Sequence, residues 1–244
     1  MRSSSGILLL VITVALVSVT PLATGQTSVP MSFDGSYSAV SCAGPEGCVG
    51  AGLYGGTING VKVGSGNAVP GMICDDYFDN ITAGEHWTAN GVSAGSLTAG
   101  NIGSLTMFGN TMGVAAIKDY TEIAYLVSQM FFASPTQAQQ AAISEAIWFI
   151  SSGGSSNSGI PSTTELGYLA AALTAWGNGA TLGQYANLAI YNPTSGSPRP
   201  QEMWSLVAVP EGGAALSYLF LASLCCAGAI FVRSRRHPCS VEST

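Results

Sequence analysis

The residues best equipped for chemistry sit close together: Cys74-Asp75-Asp76, followed by Asp79, Glu85 and His86. Hard oxygen ligands such as Asp75, Asp76, Asp79 and Glu85 can hold calcium, which takes about six to eight oxygens. Their spacing does not follow an EF-hand loop, so they read as solvated or hydrogen-bonding carboxylates. A Ser-His-Asp or Cys-His arrangement would have to use His86, the one histidine before the C-terminal tail. Next to Trp87 it reads as a partly buried strand residue. Cys74 reads as a buried, inert thiol on an apolar strand, the usual fate of a free cysteine. Cys42 and Cys48 bracket the turn-rich Ala43-Gly44-Pro45-Glu46-Gly47, and outside the cytosol two cysteines this close pair as a small-loop disulfide. A two-cysteine metal site there would lack further ligands nearby. Trp87, Trp148 and Trp176 can stack on sugars, but beside aliphatic neighbours core packing is their default. These residues assign no catalytic site, no metal and no cofactor, and the chain reads as non-enzymatic.

The elements that position these groups fall into an α+β order. Residues 26–73 are rich in Gly, Ser and Val with no helical period, and 36–40, 52–54 and 57–63 read as short strands. Asn59-Gly60 between apolar flanks signals a hairpin turn. Residues 69–81 and 84–89 read as two strands around a turn, and 90–118 as a loosely specified strand or loop. The period then changes, because Tyr120, Ile123, Ala124, Val127 and Phe131 follow the spacing of a helix that buries one face. Ser134-Pro135 supplies an N-cap and first-turn proline for a second helix reaching Ile150. A third helix is expected over 163–176 with Gly177 as its C′ residue. Leu188-Ala189-Ile190-Tyr191 reads as a closing strand, and 201–209 as a last one. The expectation is a β-rich domain over 26–208 with about three helices in its second half.

Both termini look like export signals. Arg2 precedes an uncharged apolar run over 7–19 and then a small-residue exit, which reads as a secretory signal peptide over 1–25. Residues 214–232 carry no charge, and as a helix at about 1.5 Å per residue they would be close to the ~30 Å of a bilayer core. The arginines behind them keep 237–244 in the cytoplasm and leave everything upstream outside. Only 8% of the 244 residues are charged, which suits a secreted β-rich surface protein better than a cytosolic enzyme. Residues 26–208 hold three basic and eleven acidic side chains, a net charge of 3 − 11 = −8. A domain this acidic repels phosphate backbones and excludes nucleic acid as a partner.

Two resemblances follow. Val209-Pro210-Glu211-Gly212-Gly213, a single apolar span and the cluster Arg233, Arg235 and Arg236 resemble the PEP-CTERM sorting signal, with Gly212 standing where a second proline is usual. The resemblance implies an exported bacterial protein, held in the membrane over 209–236 and cut near the Pro-Glu motif by an exosortase-type sorting protease. Ile73-Cys74-Asp75-Asp76, the 120–129 helix and Ala141-Ala142-Ile143-Ser144-Glu145-Ala146-Ile147-Trp148 resemble the core of thioester-type surface domains. In that family a cysteine bonds to a glutamine placed shortly before an Ala-Ile-Trp sequence. Cys74 takes the thioester-like position, but Ser144 stands where the glutamine is expected and has no carboxamide to be attacked. Gln139 and Gln140 lie about one turn earlier. The reading is an exported cell-surface or extracellular-matrix protein, with the membrane, the sorting protease and surface polysaccharide or matrix components as partners. The alternatives are a covalent adhesin of the thioester type and a permanently anchored single-pass protein.

Overall fold

The computed structural model describes residues 27–207, apart from 45–46, 68, 79, 156–158 and 196–199. The expected signal peptide, the motif Val209-Pro210-Glu211-Gly212, the span over 214–232 and the arginines Arg233, Arg235 and Arg236 lie outside these residues. Among the described residues, no helix is long and apolar enough to cross a membrane.

The architecture is α+β. Strands β1 (Thr27–Gly44), β2 (Gly47–Ile58), β3 (Val61–Val63), β4 (Ile73–Cys74) and β5 (His86–Ser93) come first. One-turn helices α1 (Ile102–Leu105) and α2 (Gly109–Met112) lead to three long helices, α3 (Ala116–Phe132), α4 (Gln137–Ser151) and α5 (Thr163–Gly177). Strands β6 (Leu188–Pro193) and β7 (Met203–Leu206) complete one sheet of order β3-β2-β1-β5-β6-β7-β4. Every neighbouring pair in that sheet is antiparallel.

The sheet curls until its far ends meet. Tyr54 of β2 and Met72 beside β4 exchange both backbone hydrogen bonds, at 2.8 and 2.9 Å. This pairing shelters edges that would otherwise be open to other chains. Because strand side chains alternate between faces, the register sorts them into two cores. The row Ile73–Trp204–Ile190 faces the helices, while Cys74–Met203–Tyr191 faces the inside of the curl. Val29, Met31 and Phe33 fill the same interior from β1. On the outer face α3 buries Tyr120, Ile123, Ala124 and Val127, as their spacing requires, with Phe131 half-buried at the margin.

Local chemistry sets the ends of these elements. Asn59 and Gly60 both take positive φ, 51° and 78°, and turn β2 into β3. The second helix starts later than Ser134-Pro135 suggests: Thr136 is the N-cap, and it shares a reciprocal capping box with Gln139. Ser134 instead takes φ 51° in the turn ahead of it. Ser162 and Glu165 form the same box for α5. Gly177 closes that helix within its last turn, and the left-handed residue beyond it is Gly179, at φ 86°. The β6 strand lies between β5 and β7, so it is internal to the sheet and does not close it. The expected strand over 69–81 shrinks to Ile73–Cys74, because the Asp76 carboxyl accepts from the Phe78 amide at 2.9 Å and turns the chain out of the ladder.

Candidate functional site

Cys42 and Cys48 are disulfide-bonded at the closed end of the β1–β2 hairpin, as their spacing suggests. Cys74 is 1% exposed, and its Sγ donates to the Asp76 carbonyl (3.0 Å) and accepts from the Asp76 amide (3.2 Å). Burial, together with the acids Asp76 and Asp75, pushes its thiol well above the ordinary range. A thiolate is therefore disfavoured, and with it the nucleophile. Ser144 is committed elsewhere: it is buried, and its Oγ accepts from the Gly52 amide of β2 at 2.9 Å. Around it, Ser41 donates to Glu145 and Ser38 to Gln140, so α4 is fixed to β1 and β2 by a polar seam. Gly52 permits this approach, since a Cβ there would sit 2.5 Å from Ser38 Oγ and 2.8 Å from Gln140 Oε1. Trp148 is buried and donates from Nε1 to the Cys74 carbonyl at 3.1 Å, tying α4 to β4.

The acidic cluster separates into different roles. Asp75 and Asp76 are buried, not solvated. Asp75 Oδ2 accepts from Trp204 Nε1 at 2.6 Å, and the Glu202 carboxyl is its charged neighbour. Glu202 in turn accepts from the Tyr120 hydroxyl and the Met107 amide, both at 2.6 Å. Burial and then the neighbouring Glu202 charge push Asp75 well above the carboxylate range; burial also raises Glu202. Two carboxyls in contact within an apolar interior hold a proton between them. Glu85 lies in the turn before β5, where its carboxylate accepts from the Thr82 amide at 2.8 Å. Asp79 is outside the described residues. Among the described residues, no group of three or more His, Cys, Asp and Glu is arranged to hold a metal ion.

His86 is exposed at the start of β5, correcting the half-buried expectation, while Trp87 beside it is buried in the curl. Gly91-Val92-Ser93-Ala94-Gly95 fits the Gly-x-Ser-x-Gly pattern of a nucleophile elbow. Ser93 ends an antiparallel strand and enters a 3₁₀ turn, and its hydroxyl donates to the Ala186 carbonyl at 2.9 Å. His86 lies seven residues back along the extended strand, about 23 Å away. The two cannot form a pair.

The structure brings a different set together. A cleft of about 350 Å³ opens where β1, β2, the loop after β4 and α4 converge. Phe33, Tyr54 and Trp148 form buried parts of its wall, while Tyr37 and Phe78 are 48% and 64% exposed. Asp76, Asn80 and Gln201 add a carboxyl and two amides. Tyr77 packs between Phe78 and Trp148, with ring centroids 5.4 and 6.0 Å apart. Gln201 Nε2 donates to the Asp76 carbonyl at 3.2 Å, and Tyr54 donates to the Gly50 carbonyl at 2.6 Å, so the cleft is preformed. No family model, curated protein or solved structure matches the chain.

Of the residues singled out by sequence, Trp148 reaches this cleft and Asp76 lines it, while Cys74 faces the interior core. Tyr37 carried a legible signal, being a large ring between small polar residues on an expected strand. Gln201 and Glu202 carried none, because their partners lie 125 and 82 positions away.

Proposed function

We propose that this is an exported surface or matrix protein that acts by binding, with its folded domain presenting the aromatic cleft away from the cell. The C-terminal segment holds it in the membrane until a sorting protease processes it near Pro210-Glu211. The observation that carries the binding role is the cleft itself, preformed and lined by exposed aromatic rings beside amide and carboxyl groups, the usual make-up of a ligand site. The Cys42–Cys48 bridge supports the exported location, since such bonds persist in oxidising compartments.

A covalent adhesin would need an activated cysteine beside a carboxamide. The Cys74 thiol is instead buried and held by Asp76, and Ser144 is spent on Gly52. Surface labelling tests the proposal. Lys62 is exposed on β3, so a membrane-impermeant amine reagent applied to intact cells should modify it. Labelling only after lysis would place the domain inside and remove the reading.

A further inference from the structure

We propose that the cleft binds the end of a neutral polysaccharide chain, with Tyr37 as its stacking platform. This rests on the surface-binding reading above and names the ligand class of that site.

The platform is built into the backbone. Tyr37 pairs with Tyr54 across the β1–β2 hairpin, and its ring lies over Gly50. A Cβ on Gly50 would stand 2.8 Å from Cδ1, 3.1 Å from Cγ and 3.2 Å from Cε1 of that ring. The bare glycine thus lets a half-exposed aromatic side chain rest against the strand while the remaining surface faces the cleft. Little side-chain entropy is then left to lose on binding. Phe78 offers a second exposed ring on the loop after β4.

The polar complement selects the ligand. A sugar presents apolar C–H faces that suit an aromatic ring, and a rim of hydroxyls that both donate and accept. Asn80, exposed on the loop after β4, carries both functions in its amide, beside the polar wall formed by Gln201 and Asp76. Among the described residues no lysine or arginine lines the cleft, and residues 26–208 have a net charge of −8 from three basic and eleven acidic residues. Anionic polysaccharides are therefore repelled, and uncharged ones are not. A wall mixing carboxyl and amide groups with rings disfavours a purely apolar ligand such as an acyl chain. The open mouth and ~350 Å³ volume suit a chain end of mono- or disaccharide size.

The test uses the full-length chain in micelles of a detergent without a sugar headgroup. Retention is measured on insoluble cellulose, chitin, starch, mannan and xylan, with elution by the matching soluble oligosaccharide. The native chain should be retained on at least one matrix and released by its oligosaccharide. Tyr37→Ala and Gly50→Ala should each weaken that retention roughly tenfold, the order of one lost stacking contact. Phe78→Ala should weaken it as well. All three should leave the melting temperature close to native, because they alter exposed rings or the space beside one. Three results would overturn the proposal: no retention on any matrix, retention that survives all three substitutions, or release by spermidine but not by oligosaccharide. Failure with Lys62 still labelled on intact cells would remove the saccharide ligand and spare the surface reading. An unlabelled Lys62 would remove the surface reading whatever the matrices show.

Discussion

Asp75 and Glu202 should make the stability of this domain fall as pH rises above the ordinary carboxylate range. Both side chains are 0% exposed; Asp75 accepts from an indole, and Glu202 from a phenol and an amide. Burial, reinforced by the neighbouring charge, lifts Asp75 well above the carboxylate range, and burial lifts Glu202 too. The folded state therefore keeps a proton that the unfolded chain has already released. With more protons bound when folded, the unfolding free energy declines with pH by about 1.4 kcal/mol per unit for each retained proton. This contribution is complete below the ordinary carboxylate range and disappears as pH rises through the raised folded values. Asp75→Asn keeps an acceptor for Trp204 and supplies a permanent donor to Glu202, so it should flatten the profile and exceed native stability at the alkaline end. One kcal/mol corresponds to about 2–4 °C in a domain of this size, so native and variant melting curves should diverge by roughly 3–5 °C per pH unit in that window. Glu202→Ala strands the Tyr120 hydroxyl and the Met107 amide, at about 1–3 kcal/mol for each buried donor, and should destabilise at every pH. The assay is thermal unfolding of the full chain followed by the emission of Trp204, which stacks on Tyr120 at 5.9 Å and donates to Asp75. A native profile that rises with pH relative to Asp75→Asn would refute the reasoning.

Two further outcomes test the packing. Cys74 should resist iodoacetamide at neutral pH in the folded protein and react only after denaturation, and the intact mass should lack the loss of ammonia that a thioester brings; peptide mapping reads both, and native-state labelling would contradict the buried thiol. Gly56→Ala would place a Cβ 1.9 Å from the Ser32 carbonyl on the paired strand and should cost about 3 kcal/mol by thermal melting. Gly60→Ala should cost only about 1 kcal/mol, because nothing lies within 4 Å and only its positive φ is strained.

The parts of the fold legible in the sequence were those with a local cause. Asn59-Gly60 specifies its turn by backbone freedom, Tyr120 to Val127 specify α3 by apolar spacing, and Cys42 and Cys48 are near enough to pair without knowledge of the sheet. The four-residue helices α1 and α2 are too short to show a period, so 90–118 read as a loosely specified strand or loop. Strand order was not legible, because β6 enters between β5 and β7 through contacts remote in sequence. The acidic run misled for the same reason. Asp75 and Asp76 look like surface charge until the other end of the domain buries them, Trp204 donating to the Asp75 carboxyl and Gln201 to the Asp76 backbone carbonyl. The cleft depends on a register that places Tyr37 over Gly50, which spacing alone does not encode.

In the proposed function the domain is held outside the membrane by its tail and then released by processing. Mass spectrometry of the C-terminal peptide of the cell-associated protein tests this directly. The expected product ends near Pro210-Glu211 and has lost Arg233, Arg235 and Arg236. A full-length chain recovered dissolved in the cytoplasm, still carrying residues 1–25 and its C-terminal arginines, would contradict it.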